Sequence, residues 1–300
     1  MVESRNIRTI MTPKVRHPDM ICGISGWVDG GEAATGCTRY LIRELKGAKF
    51  AEMPVEHYNV FQLPGQLSQR PKIKIEDGLL LEHNIPQNWF YYSINRNNDN
   101  DVLLFLGTEP CLNWEEYSNT ITDIAQQFSV ERIYLLGGVL DKIPHTREPG
   151  ISCSCSTTEL KEEMREYGVR FSSYEGPGSI GTTIMHDCQE KGLPVVSFMV
   201  SATYYPEFNI AIQRNPKAIR ALTRILNKIL NLNLNLFELD QEVMNLEVKL
   251  GLLVGQNMQF QDYVKKLEKE FADIDSRKPL DISNNEAISI VEDLLKGEDI

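Results

Sequence analysis

Apolar and polar residues alternate along this chain in two rhythms. Unbroken apolar runs of strand length stand at Asp19 to Gly26, Val102 to Leu106, Ile133 to Leu136 and Pro194 to Val200. Runs of this kind belong to strands covered on both faces by helices. The first stops at Gly26-Trp27-Val28-Asp29-Gly30-Gly31, the second at Gly107-Thr108-Glu109-Pro110, and the third at Gly137-Gly138. Between them, apolar residues recur at helical spacing. The stripes are Ala33, Cys37, Tyr40, Leu41 and Leu45; Trp114, Tyr117, Ile121, Ile124 and Phe128; and Ile180, Ile184 and Cys188. Asn113 with Glu116 resembles a capping box ahead of the second helix.

One stretch organises the rest. A short strand over Val169 to Ser173, a glycine turn over Tyr174 to Thr183, a helix closed by Gly192 and the buried strand to Val200 make one βαβ unit. Strands alternating with helices predict a three-layer α/β/α sandwich around a mostly parallel sheet. Residues 53–100 are rich in Pro, Asn and Gln, and Ile73-Lys74-Ile75 and Phe90 to Ile94 predict antiparallel or edge strands there. Beyond Val200 no strand is predicted. Asn215-Pro216 opens a helix bearing Ile219, Leu222, Leu226 and Ile229. Two further stripes follow, Leu239 to Leu253 and Phe260 to Phe271, and Ser283 with Glu286 opens a last helix closed by Gly297. The expected division is an α/β domain over 1–235 and a C-terminal helical extension over 236–300.

Charge narrows the partners. A net charge of -11 and a pI near 5.1 give no basic footprint for nucleic acid or an anionic membrane. No apolar run reaches transmembrane length, and the polar start, Met1 to Arg8, does not read as a secretory signal. The six cysteines fall mostly inside predicted elements, which points to a reduced, cytoplasmic, disulfide-free protein.

In parallel sheets, ligands bind beyond the carboxyl ends of the strands. The special residues of this chain fall at those ends: Trp27 and Asp29, Glu109, His145-Thr146-Arg147, then Gly176, Gly178, Ser179, Gly181 and Thr182, and finally Tyr204-Tyr205. The Gly176 to Gly181 loop meets a helix N-terminus, where it serves either as an anion site or as a tight turn. It is neither a Walker loop nor a dinucleotide fingerprint. His145 and Arg147 suit a proton donor and an anion clamp; alternatively Arg147 pairs with Glu148. Glu109 is a candidate base or metal ligand, or the cap of the helix that follows. Cys153-Ser154-Cys155 lacks the second pair a zinc site needs. Ser179 lacks the nucleophile-elbow pattern, the other histidines form no ligand spacing, and no catalytic triad assembles from these residues. No cofactor or metal is expected.

Several of these motifs, in this order, resemble the prokaryotic branch of the second proteasome assembly chaperone family. They are Gly26 to Ala34, Gly107 to Pro110 with Trp114, Pro144-His145-Thr146-Arg147, the Gly176-Pro177-Gly178 turn, and Tyr205-Pro206 followed by Asn215-Pro216. Order and spacing agree over residues 15–240. The resemblance implies a sandwich similar to the nucleoside phosphorylase fold, a helical C-terminal addition and homo-oligomers. It also implies a non-catalytic role, in which chaperone members hold proteasome subunits during ring assembly. Some relatives are grouped with ATP-grasp enzymes, but nothing in these residues resembles an ATP-grasp site. Members that dock on the proteasome use a C-terminal hydrophobic-Tyr-any tripeptide. This chain ends Glu298-Asp299-Ile300, so docking by that device is not expected. A protein-binding or assembly scaffold is therefore the first expectation. The alternative is a nucleoside phosphorylase-like or hydrolase-like enzyme, with an anion at Gly176 to Thr182 and a small molecule beneath Trp27 and His145.

Overall fold

The structure is a computed structural model that describes residues 6–61, 70–95 and 99–276. Its centre is four parallel strands in the order β7 (Val102–Thr108), β2 (Asp19–Ser25), β8 (Arg132–Asp141) and β11 (Val195–Tyr205). Antiparallel strands extend this centre on both sides. β6 (Asn88–Ser93), β3 (Ala48–Met53) and β1 (Arg8–Thr9) lie beyond β7. Beyond β11 lie β9 (Ile151–Cys155) and β10 (Arg170–Phe171), and β12 (Ile210–Ala211) pairs with the end of β11. A separate hairpin, β4 (Lys72–Glu76) with β5 (Leu79–Asn84), stands off the main sheet.

The central strands are apolar on both faces because helices cover both. One face holds α1 (Ala33–Glu44), α3 (Thr158–Arg165) and α5 (Pro216–Ile229), which pack Cys37, Leu41, Leu160, Ile219 and Leu222 against Ile21, Leu104 and Phe198. On the other, α2 (Trp114–Gln127) and α4 (Ile180–Glu190) pack Tyr117, Ile121, Ile184 and Cys188 against Cys22, Phe105 and Val195. The chain is thus the α/β sandwich expected, with a parallel centre and antiparallel flanks. Among the described residues no helix is long and apolar enough to cross a membrane.

Several local expectations are corrected. The strand expected at Val169 to Ser173 shrinks to the two residues of β10. It lies parallel to β9, which is antiparallel to β11, so β10 runs opposite to β11 and the two form no βαβ unit. The place beside β11 goes to β9, in a stretch without an apolar run. Its buried Cys153 alternates with half-exposed Ser152 and Ser154, and β10 offers only Phe171 as an apolar anchor. Gly137 and Gly138 do not end β8. They lie inside it because the segment at Gly30 crosses it closely: a Cβ on Gly138 would stand 2.5 Å from the Gly30 carbonyl oxygen. Asn113 precedes α2 but makes no side-chain cap, and its Nδ2 donates instead to the His57 carbonyl at 2.9 Å. Asn215 does cap α5, accepting from the backbone of Lys217 and Ala218 at 3.0 and 3.2 Å.

Two long helices follow, α6 (Phe237–Gly255) and α7 (Met258–Ser276). α6 lies on α5 through the ion pairs Arg220–Asp240 at 2.8 Å and Lys217–Glu247 at 2.6 Å, and Arg214, just before α5, pairs with Glu242 at 2.5 Å. α7 sets Phe260, Val264 and Leu267 around Tyr205, with Phe208 stacked on Phe260 at 4.2 Å. The helix expected to open at Ser283 lies outside the described residues.

Candidate functional site

The parallel centre delivers its loops to one edge, and the side chain that ties three of them together is Glu109. Its backbone N–H donates to the Ser25 carbonyl at 2.7 Å and its own carbonyl accepts from Asn59 Nδ2 at 3.0 Å, which fixes the residue just past β7. Its carboxylate then faces two backbone donors. Oε2 accepts from Trp27 N–H at 2.8 Å, and Oε1 accepts from Ile180 N–H, in the first turn of α4, at 3.2 Å. Gly26 makes room for this arrangement: its φ is +143°, and a Cβ there would lie 2.5 Å from Glu109. A helix start attracts an anion through its free N–H groups and its dipole. Here the anion is the protein's own carboxylate.

This geometry corrects one expectation. Glu109 caps α4, seventy-one residues on, rather than α2 directly after it. The loop before α4 is a tight turn, exposed from Ser172 to Gly178: Ser179 is the buried N-cap residue, whose carbonyl accepts the Thr182 hydroxyl at 2.6 Å. Gly178 lies so close to that hydroxyl that a Cβ would meet it at 2.6 Å, Gly176 faces the ring of Tyr174, and Gly181 sits beside Ser179.

Asp29 is also engaged with its own chain. Oδ1 accepts from the backbone of Ala34 and Thr35 at 2.9 and 3.1 Å, and Oδ2 from the Thr35 hydroxyl at 2.6 Å, so it ties the loop after β2 to the start of α1. Burial raises its pKa to about 6, against the opposing pull of the Thr35 and Ala34 hydrogen bonds. Beside it opens a cleft of about 580 Å³, lined among others by Ser25, Gly26, Thr35, Arg39 and Thr108. The cleft lies where β2 sends its helix to one face and β7 sends its helix to the other, the switch point at which open α/β sheets hold ligands.

His145, Thr146 and Arg147 follow β8 on the same edge but belong to a different neighbourhood. His145 is buried: its backbone N–H donates to the Tyr205 hydroxyl at 2.7 Å, and its Nδ1 meets the same hydroxyl at 2.8 Å. Lys217 Nζ donates to the His145 carbonyl at 2.6 Å. Burial first, then the Lys217 charge, lowers the His145 pKa, so both disfavour the charged ring. Thr146 donates to Glu268 of α7 at 2.5 Å. Arg147 is exposed and makes no ion pair among the described residues; Glu148 pairs instead with Arg220, at 2.5 Å, and with Arg224.

The predicted residues therefore divide into three groups. Trp27, Glu109 and the Gly176-to-Thr182 turn meet, Asp29 shares the cleft beside them, and the His145 group lies under α7. Thr35, Arg39 and Asn59 were not anticipated. Thr35 and Arg39 stand one helical turn apart on α1, a polar pair visible in the sequence beside the apolar stripe, whereas Asn59 lies in a loop with no pattern. Among the described residues no group of three metal-ligating side chains comes together, and Cys153 and Cys155 are free thiols with sulfurs 3.5 Å apart.

Comparison with known proteins supplies the context for this geometry. A family model described as the PAC2 family matches residues 23–254. Among solved structures, a PAC2 family protein from Streptomyces avermitilis is 27% identical, with a TM-score of 0.69 over 82% of this chain and 99% of its own. A proteasome-assembly chaperone homologue from Mycobacterium tuberculosis is 25% identical, with the same TM-score and the same coverage of both chains. PbaB of Pyrococcus furiosus, an archaeal proteasome activator, is 20% identical and shares the fold, with a TM-score of 0.62 over 82% of this chain and 97% of its own. No curated protein matches the chain.

Proposed function

This chain belongs to the PAC2 family, and from that premise we propose that it is a protein-binding assembly factor whose docking surface is the strand-end rim around Glu109. The observation that carries the reading is how the rim divides its chemistry. The polar groups there face inward: Glu109 holds α4 and Trp27, and Asp29 holds α1. The large apolar side chains of the same segments face out, with Trp27 60% and Tyr174 71% exposed and Leu112 half exposed. Exposed aromatic and aliphatic side chains among backbone fixed from below are what a protein partner desolvates on docking.

A proteasome subunit is the partner this reading favours, by likeness to the assembly chaperone homologue. We take residues 1–235 as the binding body and 236–300 as its C-terminal extension, of which α6 and α7 pack against that body. The setting is the cytoplasm, where six thiols stay reduced. The test is co-elution of the purified chain with free 20S proteasome subunits. Trp27→Ala, Leu112→Ala and Tyr174→Ala combined should abolish co-elution without lowering the melting temperature. Co-elution unchanged in the triple variant refutes the rim as the docking surface.

A second reading is favoured by the cleft at the β2–β7 switch point. There Arg39 and Thr35 suit a small anionic or polar ligand, and the sandwich would act in the manner of a nucleoside phosphorylase-like fold. Phosphate, nucleosides and nucleotides should then raise the melting temperature, and Arg39→Ala should remove that rise. No shift with any of them rejects this reading.

A further inference from the structure

β9 carries two cysteines, Cys153 and Cys155, on one face of the strand with Ser154 between them. Their sulfurs are 3.5 Å apart, so the two side chains are already turned toward each other. They differ in access. Cys153 is 1% exposed and packs in the core that α3 covers, whereas Cys155 is half-buried at its margin. They differ in acidity as well. The hydrogen bond from Cys153, then the charges of Arg132 and Lys161, favour the Cys155 thiolate, against burial and the charge of Glu163. The same contact, together with burial, pushes the Cys153 thiol up, which makes Cys153 the donor of the pair. Of the other four cysteines, Cys22, Cys37 and Cys188 are buried and Cys111 is half-buried.

We propose that Cys153 and Cys155 form a reversible oxidation site, at which hydrogen peroxide converts the two thiols into a disulfide within β9. The Cys155 thiolate attacks one peroxide oxygen and the O–O bond breaks. The other oxygen leaves as hydroxide, takes a proton from solvent to become water, and Cys155 is left as a sulfenic acid. The Cys153 sulfur then attacks the Cys155 sulfur. The S–S bond forms, the S–O bond breaks, and the second hydroxide leaves as water with the Cys153 proton. Both electrons that reduce the peroxide come from the thiol pair. Residues two apart on a strand have Cα atoms about 6.6 Å apart, the upper end of the range of about 4.4–6.8 Å that a disulfide spans. The bridge therefore forms under strain and is readily reduced, which is the labile kind of disulfide used in redox sensing. At rest the pair stays as thiols. Closing the bridge puckers β9 at Ser154, whose hydroxyl is 2.6 Å from the Ser172 hydroxyl. The Ser172 N–H donates to the Cys153 carbonyl at 3.1 Å, so the pucker loosens the two-residue strand β10 beside it. This chemistry holds whichever partner docks on the rim.

Treating the reduced full chain with hydrogen peroxide, then alkylating it for peptide mass spectrometry, tests the site. Wild type should lose both thiols to a disulfide between Cys153 and Cys155, and dithiothreitol should restore them. C153S should stop at a sulfenic acid on Cys155, which dimedone traps. C155S should leave Cys153 reduced, with oxidation at least roughly tenfold slower than at Cys155 in wild type. C111S should form the disulfide as wild type does. Hydrogen–deuterium exchange over residues 151–173 should rise in the oxidised chain and return on reduction. Wild type whose Cys153 and Cys155 both remain alkylatable after peroxide overturns the proposal without recourse to any variant. Dimedone labelling of Cys153 in C155S, or a disulfide formed through Cys111 instead, overturns it equally. Exchange over 151–173 that does not change on oxidation refutes the loosening of β10.

Discussion

Replacing Glu109 by Ala removes one carboxylate and with it the two hydrogen bonds that hold three loops together. The Trp27 N–H loses its acceptor at 2.8 Å, and the Ile180 N–H, in the first turn of α4, loses its acceptor at 3.2 Å. Hydrogen bonds to a charged acceptor contribute roughly 1.5–3 kcal/mol each. Glu109 is half-buried, so the lower figure applies and the loss comes to about 3 kcal/mol, with the helix-dipole contribution included. In a chain of this size that is a fall of roughly 6 °C in melting temperature. Glu109→Gln keeps one carbonyl acceptor without the charge and should lose about half as much. A second measurement isolates the mechanism. With the carboxylate gone, the first turn of α4 is free to take an external anion, so sulfate should raise the melting temperature of Glu109→Ala more than that of wild type. Differential scanning fluorimetry in sulfate and chloride at matched ionic strength reads both effects. If Glu109→Ala melts with wild type, or sulfate acts on the two proteins equally, the carboxylate is not what fills the α4 terminus.

Three further predictions follow from buried groups. Asp29 has its pKa raised from 3.8 to about 6 by burial, so between those values the folded chain binds the proton that the unfolded chain releases. Stability from this group therefore falls as pH rises from about 4 to 6, by up to about 3 kcal/mol. Asp29→Asn should gain on wild type over that window in urea titrations, and a stability difference that does not change with pH refutes the shift. Tyr205→Phe leaves the buried His145 N–H without its acceptor at 2.7 Å and should cost about 2 kcal/mol in urea unfolding; a neutral result means water replaces the hydroxyl. Gly138→Ala drives a Cβ to 2.5 Å from the Gly30 carbonyl and 2.7 Å from Ala33 Cβ. It should cost about 2 kcal/mol or more by thermal melting, because the nearest obstacle is backbone.

How much of this was legible in the sequence depended on how local the signal is. The buried strands and the amphipathic helices follow from apolar period alone, and Asn215-Pro216 names its own helix start. Strand order carries no local signal. β10 looked like a partner of β11, but its place went to β9, whose alternation of Cys153 with Ser152 and Ser154 is too polar to stand out. The strand ends were legible as a common edge, because parallel strands separated by helices must deliver their loops there. Which loops touch was not legible. Glu109 and Ile180 are far apart in the chain, and nothing near Glu109 announces that its carboxylate reaches α4. Nor does any residue of α7 signal that Thr146 and Tyr205 lie beneath it, since Phe260 and Leu267 have the ordinary spacing of any packed helix.

The rim around Glu109 is tested most directly by hydrogen–deuterium exchange of the full chain with and without free 20S proteasome subunits. On adding the subunits, protection should rise in the segments carrying Trp27, Leu112 and Tyr174, with the Ile180 amide protected in both states by Glu109. Unchanged exchange in those three segments, or protection confined to the cleft beside Arg39, contradicts the docking surface proposed here.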